Sequence, residues 1–316
     1  MSREAGLAAA YDRARPRLVR VAYAVLGSRY EAEDVVSECW LRMSAADARD
    51  PIKDVDAWAT VAVARGALDA LRSARIRREV YVGPWLPEPI VEAAPADQDP
   101  ADRATLDDSV SFALLVVLET LTPAERTAWV LHDLFGMSFA EIAGVVGRTP
   151  QAVRQLATRA RAHVSARAPR VNVGSAEHNA TVTTFLRAAA GGDLSALLTA
   201  LDPDVVLTSD GGGQVSAARR PVHGAERVAR FVLGIAAKIR PSERVHVINV
   251  NGAPGLGLFD SGGLTAVVSL TVSGDRITRV DLVRAPAKLP PPAPASGGHR
   301  QGIDGDSRWR KGEDWR

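Results

Sequence analysis

Residues 136–164 have the sequence pattern of a helix-turn-helix, and this pattern constrains the fold more than any other part of the chain. Ser138 precedes Glu141 by three residues, the spacing of a capping box that begins a helix. Gly147 can adopt the left-handed conformation that ends this helix. Thr149-Pro150 then supplies an N-cap and an N1 proline for a second helix. These signals together predict a helical unit of the kind that places its second helix in a DNA major groove.

The second helix is predicted to have one apolar face and one polar face. Apolar residues recur at helical spacing from Val153 to Val164, with Arg, Gln and Thr between them. Six arginines and no acidic residue occur from Arg148 to Arg170, which favours a polyanionic partner. The alternative is an amphipathic hairpin whose basic face is only solvated. The residues predicted to contact base edges and phosphates are Gln151, Arg154, Gln155, Thr158, Arg159 and Arg161.

Length, charge and cysteine content limit the class of protein. The chain of 316 residues is long enough for two or three domains. Its net charge of +2 creates no overall cationic field, so basic residues must act locally. The single cysteine, Cys39, excludes an intramolecular disulfide and a cysteine-based zinc site, and no metal or cofactor is predicted. Because there is no basic-then-apolar leader and no apolar run near twenty residues, we expect a cytoplasmic protein without a membrane partner.

Composition divides the chain into five segments. Residues 1–80 and 106–170 have helical patterns, and the second of these contains the helix-turn-helix. Five prolines mark residues 81–105 as a linker between them. Residues 178–285 combine a helix with β-branched runs, which predicts an α+β domain, and residues 286–316 are expected to be a disordered tail. The predicted fold class is therefore multidomain, with two all-α domains followed by an α+β domain.

Two charged helix faces occur before the linker. Glu31, Asp34 and Glu38 form an acidic stripe opposite an apolar one. In the next helix, Trp58 and two arginines recur at every seventh position. Solvated charged faces are the simple alternative for both helices, because such patterns are common on helix surfaces.

The segments Leu18–Gly27, Ala32–Glu38 and Ala67–Arg75, followed by the helix-turn-helix, closely resemble the extracytoplasmic-function (ECF) class of bacterial RNA polymerase sigma factors. The resemblance covers about residues 7–168. It implies a first domain that binds core RNA polymerase and reads the −10 promoter element, and a second that reads the −35 element. The implied partners are the β′ clamp and β flap of core polymerase and promoter DNA. The implied polymerase contacts are Glu31, Asp34, Val35 and Glu38. The implied −10 contacts are Trp58, Arg65, Asp69, Arg72 and Arg75.

One position departs from this family pattern. Gly66 stands directly after Arg65, where many ECF factors carry an asparagine. The preference of this chain for a particular −10 sequence is therefore not implied by the resemblance.

Two further segments, Tyr81–Pro89 in the linker and Asp210–Gln214 in the third domain, resemble the ECF subgroup that carries a fused SnoaL-like domain with a cone-shaped α+β fold. In relatives a third signature, Asn-Pro-Asp-Lys-Leu, follows the domain. The corresponding segment here, Ala285–Leu289, keeps the proline, lysine and leucine and lacks both polar residues. We therefore expect the role of this tail motif to be weakened here.

The glycine-rich loop is predicted to dock on the linker at Trp85–Pro89 or on the adjacent −10-reading domain, and so to regulate the protein in cis. The linker exposes an apolar Trp-Leu pair that would prefer a partner surface. The loop has small residues that let a backbone approach, and a carboxylate that can accept its N–H groups. The predicted regulatory residues are Trp85, Leu86, Pro87, Glu88, Pro89, Asp210, Gly211, Gly212 and Gly213.

The third domain is not predicted to be an enzyme, although its fold family includes enzymes. All four tyrosines lie before residue 82, and His178, His223 and His246 form no recognisable dyad. The sequence leaves open whether this domain binds a small ligand. The predicted function is a sigma factor that directs core polymerase to promoters. Two alternatives are a ligand-sensing helix-turn-helix regulator that never binds polymerase, and a SnoaL-like enzyme tethered to DNA.

Overall fold

The computed structural model describes residues 3–78, 81, 83–92, 110–167 and 174–290. An N-terminal helical unit comes first. It consists of α1 (Arg3–Leu26), α2 (Arg29–Asp47) and α3 (Val55–Arg78). Leu18 and Val25 of α1 are fully buried because apolar residues recur every three to four positions along that helix. The side-chain oxygen of Ser28 accepts the N–H of Glu31 at 3.2 Å and so begins α2.

The second part, called here the helix-turn-helix unit, is also entirely helical in the residues described. It contains α4 (Phe112–Leu118), α5 (Pro123–Trp129), α6 (Phe139–Val146) and α7 (Pro150–Arg167). The N–H of Glu141 donates to Ser138 Oγ at 3.3 Å, and the N–H of Ser138 donates to Glu141 Oε2 at 2.8 Å. Gly147 ends α6 with a φ of +71°. The capping box and the left-handed glycine predicted from the sequence are confirmed.

The third part, called here the sheet domain, is an α+β fold. Its helices are α8 (Ser175–Gly191), α9 (Leu194–Ala200) and α10 (Ala225–Ala236). Its strands are β2 (Leu201–Asp210), β3 (Val222–His223), β4 (Arg244–Val250), β5 (Ala253–Asp260), β6 (Gly263–Ser273) and β7 (Arg276–Val283). One face of the sheet packs on the helices through residues such as Leu207, Leu270 and Val280. The predicted fold class, two helical domains followed by an α+β domain, is confirmed.

A further strand, β1 (Val91–Glu92), comes from the predicted linker and joins the edge of this sheet. The strand order is β1-β4-β5-β6-β7-β2-β3, and among the described strands only β2 and β7 pair in parallel. Val91 pairs with Val250, and Glu92 with Asn249. The first part of the segment predicted to be a linker, residues 81–105, therefore lies on the sheet domain. Residues 93–105 lie outside those the structure describes.

The other face of the sheet is covered by the linker and by α4. Leu86, Phe112 and Val116 form one apolar cluster with Val250 and Val283 of the sheet. A second cluster joins the two helical units, since residues of α4, α5 and α7 pack with residues of α1 to α3. The three parts are therefore held together by continuous apolar contacts.

The chain stays ordered past the predicted end of the third domain. The disordered tail was expected from residue 286, but Pro286–Lys288 form a 3₁₀ helix in which Lys288 is buried. Residues 291–316 lie outside the described part of the chain. Among the residues described, no helix is both long and apolar enough to cross a membrane.

Candidate functional site

The polar face of α7 is open to solvent. All six residues predicted to contact DNA lie on this helix and are exposed, whereas Val153, Leu156 and Ala160 are buried against α5 and α6. Two of the arginines have acidic partners. Arg161 donates from Nε and from a terminal nitrogen to Asp133 Oδ1 at 2.8 and 2.6 Å, and Arg159 lies 3.5 Å from Glu125.

Arg154 is held differently from these two arginines. Its guanidinium carbon lies 5.3 Å from the ring centroid of Phe139, the first residue of α6. The Phe139 ring in turn lies 4.1 Å from the ring of His132, whose Nδ1 is 2.9 Å from the carbonyl oxygen of Met137. Among the described residues, no ion pair involves Arg154. This stack orients the guanidinium while leaving its N–H groups available to an acceptor such as a guanine edge.

The acidic stripe of α2 is only partly a free surface. Asp34 and Glu38 are exposed, and Glu38 pairs with Arg42 at 2.7 Å. Glu31 is half-buried and lines a cleft of about 230 Å³ between α2, the linker and the end of the sheet domain. Val35 packs against α3 at Gly66, where a Cβ atom would lie 3.0 Å from Val35 Cγ1. This close approach gives a physical reason for the glycine that departs from the family pattern.

The residues of α3 predicted to contact the −10 element have different environments. Trp58 is half-buried and packs against the helical core, while Arg75 is exposed. Arg72 pairs with Asp69 at 3.3 Å. Arg65 donates from Nε and from a terminal nitrogen to the carbonyl oxygen of Gly144 in α6, at 3.2 and 3.1 Å. A predicted DNA contact therefore joins the two helical units in this structure.

The predicted contact between the glycine-rich loop and the linker is present. The carboxylate of Asp210 is fully buried at the end of β2. Its Oδ2 accepts the backbone N–H of Leu86 at 2.8 Å, and its Oδ1 accepts the N–H of Gly212 at 2.9 Å and the hydroxyl of Tyr81. Burial and the neighbouring carboxylate both raise the pKa of Tyr81, so this phenol stays protonated and donates.

Lys288 supplies the charge that balances Asp210. Its Nζ donates to Asp210 Oδ2 and to the carbonyl oxygen of Leu86, both at 2.6 Å, and lies 3.0 Å from the ring centroid of Trp85. The tail motif was expected to have a weakened role; its lysine makes these buried contacts, and the expectation stays a prediction. Lys288 and Tyr81 were not among the residues predicted for this site. The only signal for them was their place within segments that resemble the subgroup motifs.

The glycines of the loop are required by close contacts. A Cβ atom on Gly211 would lie 2.2 Å from the carbonyl oxygen of Val215. Gly212 and Gly213 have φ values of +68° and +70°, and a Cβ atom on Gly212 would lie 3.0 Å from Cβ of Ala285. These positions explain the glycine run, which the sequence alone left open as a plain hairpin tip.

The linker is also fastened to the N-terminal helical unit. Glu88 Oε2 accepts the hydroxyl of Ser28 and the backbone N–H of Arg29, both at 2.9 Å, at the start of α2. The backbone N–H of Glu88 donates to the carbonyl oxygen of Gly27 at 2.8 Å. Pro87 and Pro89 are buried on either side of it. The nine residues predicted to be regulatory therefore lie in one junction between three parts of the molecule.

Titratable groups of the sheet domain are dispersed. His178 on α8 is buried, and burial lowers its pKa. Asp281 on β7 is fully buried next to Arg279 at 2.7 Å, and burial raises its pKa. Strand alternation turns Asp281 away from the face that carries Val280 and the helices. Among the residues described, no group of three or more His, Cys, Asp or Glu side chains could hold a metal ion.

Comparisons with known proteins give a consistent result. Residues 10–77 match the family model Sigma-70 region 2, and residues 111–164 match Sigma-70, region 4. The chain is 40% identical over 274 residues to the ECF RNA polymerase sigma factor SigJ of Mycobacterium tuberculosis, covering 85% of this chain and 86% of the relative. It is 34% identical over 297 residues to the probable ECF sigma factor SigI of the same species, covering 92% and 97%. The crystal structure of SigJ aligns with a TM-score of 0.70 and 33% identity, covering 88% of this chain and 96% of that one.

Proposed function

We propose a regulatory role for the C-terminal SnoaL-like domain of this chain, which belongs to the ECF class of RNA polymerase sigma factors. Sigma factors of this class bind core RNA polymerase and promoter DNA. In this proposal the SnoaL-like domain controls when the two DNA-reading units separate. Promoter recognition in the cytoplasm, where polymerase and the chromosome meet, is the activity that is controlled. The alternative of a regulator that never binds polymerase is not favoured, because the region 2 match covers the N-terminal helical unit.

The observation that carries the proposal is the hydrogen bond between Arg65 and Gly144. The −10 and −35 elements lie about 25 base pairs apart, which is about 85 Å at 3.4 Å per base pair. The recognition helix α7 has 18 residues and is therefore only about 27 Å long. The helix α3 has 24 residues and is about 36 Å long, so even end to end the two reading helices would span only about 63 Å. This supports a proposal in which the described conformation, with the units in contact through Arg65, is closed, and in which binding to a promoter requires the units to separate.

The sheet domain favours the closed conformation because it holds the linker from one side. Leu86 is bonded through both of its backbone groups, to Asp210 and to Lys288. The same stretch of linker is fastened to α2 through Glu88. Release of the linker from Asp210 would free the helix-turn-helix unit to move along the DNA away from α3.

Specific residues are assigned by this proposal. Asp34, Val35 and Glu38 contact the β′ clamp, and the helix-turn-helix unit contacts the β flap. Arg154 and Gln155 read bases of the −35 element, supported by their exposure and by the stack beneath Arg154. The residues assigned to the −10 region are Trp58, Arg65, Asp69, Arg72 and Arg75.

The sheet domain acts in regulation rather than in catalysis in this proposal. His178 and Asp281 lie on opposite sides of the sheet, an arrangement that suits no acid–base pair. The groove between α9, β3 and α10, lined by Leu198, His223 and Arg227, is open to solvent, and the proposal assigns no ligand to it.

Run-off transcription with purified core polymerase tests the proposal. The full chain is expected to start transcription at a promoter that core polymerase alone ignores. Lys288→Met, which weakens the hold on the linker, is expected to raise the yield when the sigma factor is limiting. Lys238→Met, on an exposed lysine, serves as the matched control. A chain that never co-elutes with core polymerase would show that the proposal is wrong. An unchanged transcription yield with Lys288→Met would show that the sheet domain does not regulate the protein through this contact.

A further inference from the structure

The turn between β4 and β5 carries a buried asparagine. Asn251 has a φ of +49°, and no other non-glycine residue in the described part of the chain has a positive φ. Asn-Gly is a favoured pair in tight hairpin turns, so the backbone conformation by itself is ordinary. The side chain, however, is only 4% exposed, although turns of this kind normally face solvent. Something other than the turn accounts for its burial.

Asn251 is hydrogen-bonded to three segments outside the sheet domain. Its Oδ1 accepts the N–H of Ile90 at 2.9 Å, and its own N–H donates to the carbonyl oxygen of Ile90 at 2.9 Å. Its Nδ2 donates to the hydroxyl oxygen of Tyr23 at 2.8 Å and to the carbonyl oxygen of Val110 at 3.3 Å. The Tyr23 hydroxyl then donates to the carbonyl oxygen of Glu88 at 2.8 Å. One amide group therefore satisfies partners from α1, the linker and the approach to α4.

The positions of these partners along the chain determine what the contact can do. Ile90 and Val110 bracket the stretch that leads from the linker into the helix-turn-helix unit, and Tyr23 belongs to the N-terminal helical unit. We infer that Asn251 is a positioning residue that fixes where the −35-reading unit starts relative to the −10-reading unit. This inference rests on the proposed function. The hydrogen bonds of Asn251 and those of Asp210 share no residue, and the two sets approach each other only where Tyr23 donates to the carbonyl oxygen of Glu88.

Substitution of Asn251 by glycine tests the contribution of its side chain alone. Asn251→Gly keeps a residue that accepts a positive φ and removes the three side-chain hydrogen bonds. Tyr23→Phe removes the shared hydroxyl and keeps the ring in place. Loss of these buried bonds is expected to increase the open fraction roughly 10- to 100-fold for Asn251→Gly, and less for Tyr23→Phe. The double variant should fall short of the product of the two effects, because they share one bond.

Energy transfer between dyes on the two helical units measures the opening in the free protein. The full chain carries Asp12→Cys on α1 and Ser165→Cys on α7, both exposed, with Cys39→Ala to remove the native thiol. Asn251→Gly and Tyr23→Phe are expected to lower the transfer efficiency with unchanged circular dichroism. Asp275→Gly, at the exposed tip of the β6–β7 hairpin, is the control and should change nothing.

Transcription is also measured from promoters with different −10 to −35 spacings. A purely structural role of Asn251 would not change how the yield depends on spacer length. Asn251→Gly is expected to flatten the dependence of yield on spacer length, whereas Asp275→Gly keeps the parental profile. Parental energy transfer in both Asn251→Gly and Tyr23→Phe, or a parental spacer profile in Asn251→Gly, would overturn the inference. If the parent chain starts no transcription, the proposed function fails, and the energy-transfer measurement on the free protein still decides whether Asn251 ties the units together.

Discussion

Lys288→Met is the most direct perturbation of the junction that holds the linker. Methionine keeps an unbranched apolar stem of similar length and removes the ammonium group. Asp210 then loses its only charged partner among the described residues, while its carboxylate stays fully buried at the end of β2. The N–H of Leu86 still faces this carboxylate, but the carbonyl oxygen of Leu86 loses its donor. The variant therefore destabilises the docked linker specifically.

The expected size follows from the burial of the pair. Removal of one partner of a buried ion pair costs about 3–5 kcal/mol, because the other charge is left without compensation. Since about 1.4 kcal/mol corresponds to a factor of ten, the equilibrium between docked and released linker should shift by roughly 10² to 4 × 10³. The double variant Asp210→Asn/Lys288→Met removes both charges and should recover much of this loss.

Amide hydrogen exchange at Leu86 is the assay, because this N–H is protected by Asp210 in the docked state. Its exchange rate should rise by the same factor of roughly 10² to 4 × 10³ in Lys288→Met. Amides in the centre of β6 should exchange at the parental rate, which shows that the sheet domain is intact. Lys238→Met, on an exposed lysine, should leave Leu86 unchanged. A Leu86 rate in Lys288→Met that matches Lys238→Met would refute the reasoning.

Three further outcomes are expected. Arg154→Ala should lower the preference for a −35 duplex over a random duplex by about 1–3 kcal/mol, whereas Arg167→Ala should weaken both equally; competition binding distinguishes them. Asp34→Arg should abolish co-elution with core polymerase at unchanged circular dichroism, and retained co-elution would exclude this residue from the interface. Burial holds the pKa of His178 below 6.5 in the folded state, so below about pH 6.5 the unfolded chain binds a proton that the folded chain does not. The free energy of unfolding should therefore fall as the pH drops from 7.5 to 5, and His178→Phe should reduce this fall in urea titrations.

Local patterns in the sequence determined the helical part of this protein. The capping box at Ser138, the left-handed Gly147 and the apolar spacing of α7 involve residues three or four positions apart, so each signal is complete within one turn of helix. The sequence also predicted the type of contact between the glycine-rich loop and the linker, a carboxylate that accepts a backbone N–H. A buried carboxylate and small residues require a backbone partner, and the N–H of Leu86 supplies it.

Only the tertiary structure decided which residues complete these contacts. Lys288 meets Leu86 across 202 positions of sequence, and Asn251 meets Tyr23 across 228. The attachment of Arg65 to Gly144 across 79 positions is also nonlocal, and it places a residue predicted to contact DNA between the two helical units. No spacing within a helix or strand encodes such pairs. They arise because the apolar faces of three separately patterned units pack together, and that packing determines which buried polar groups face one another.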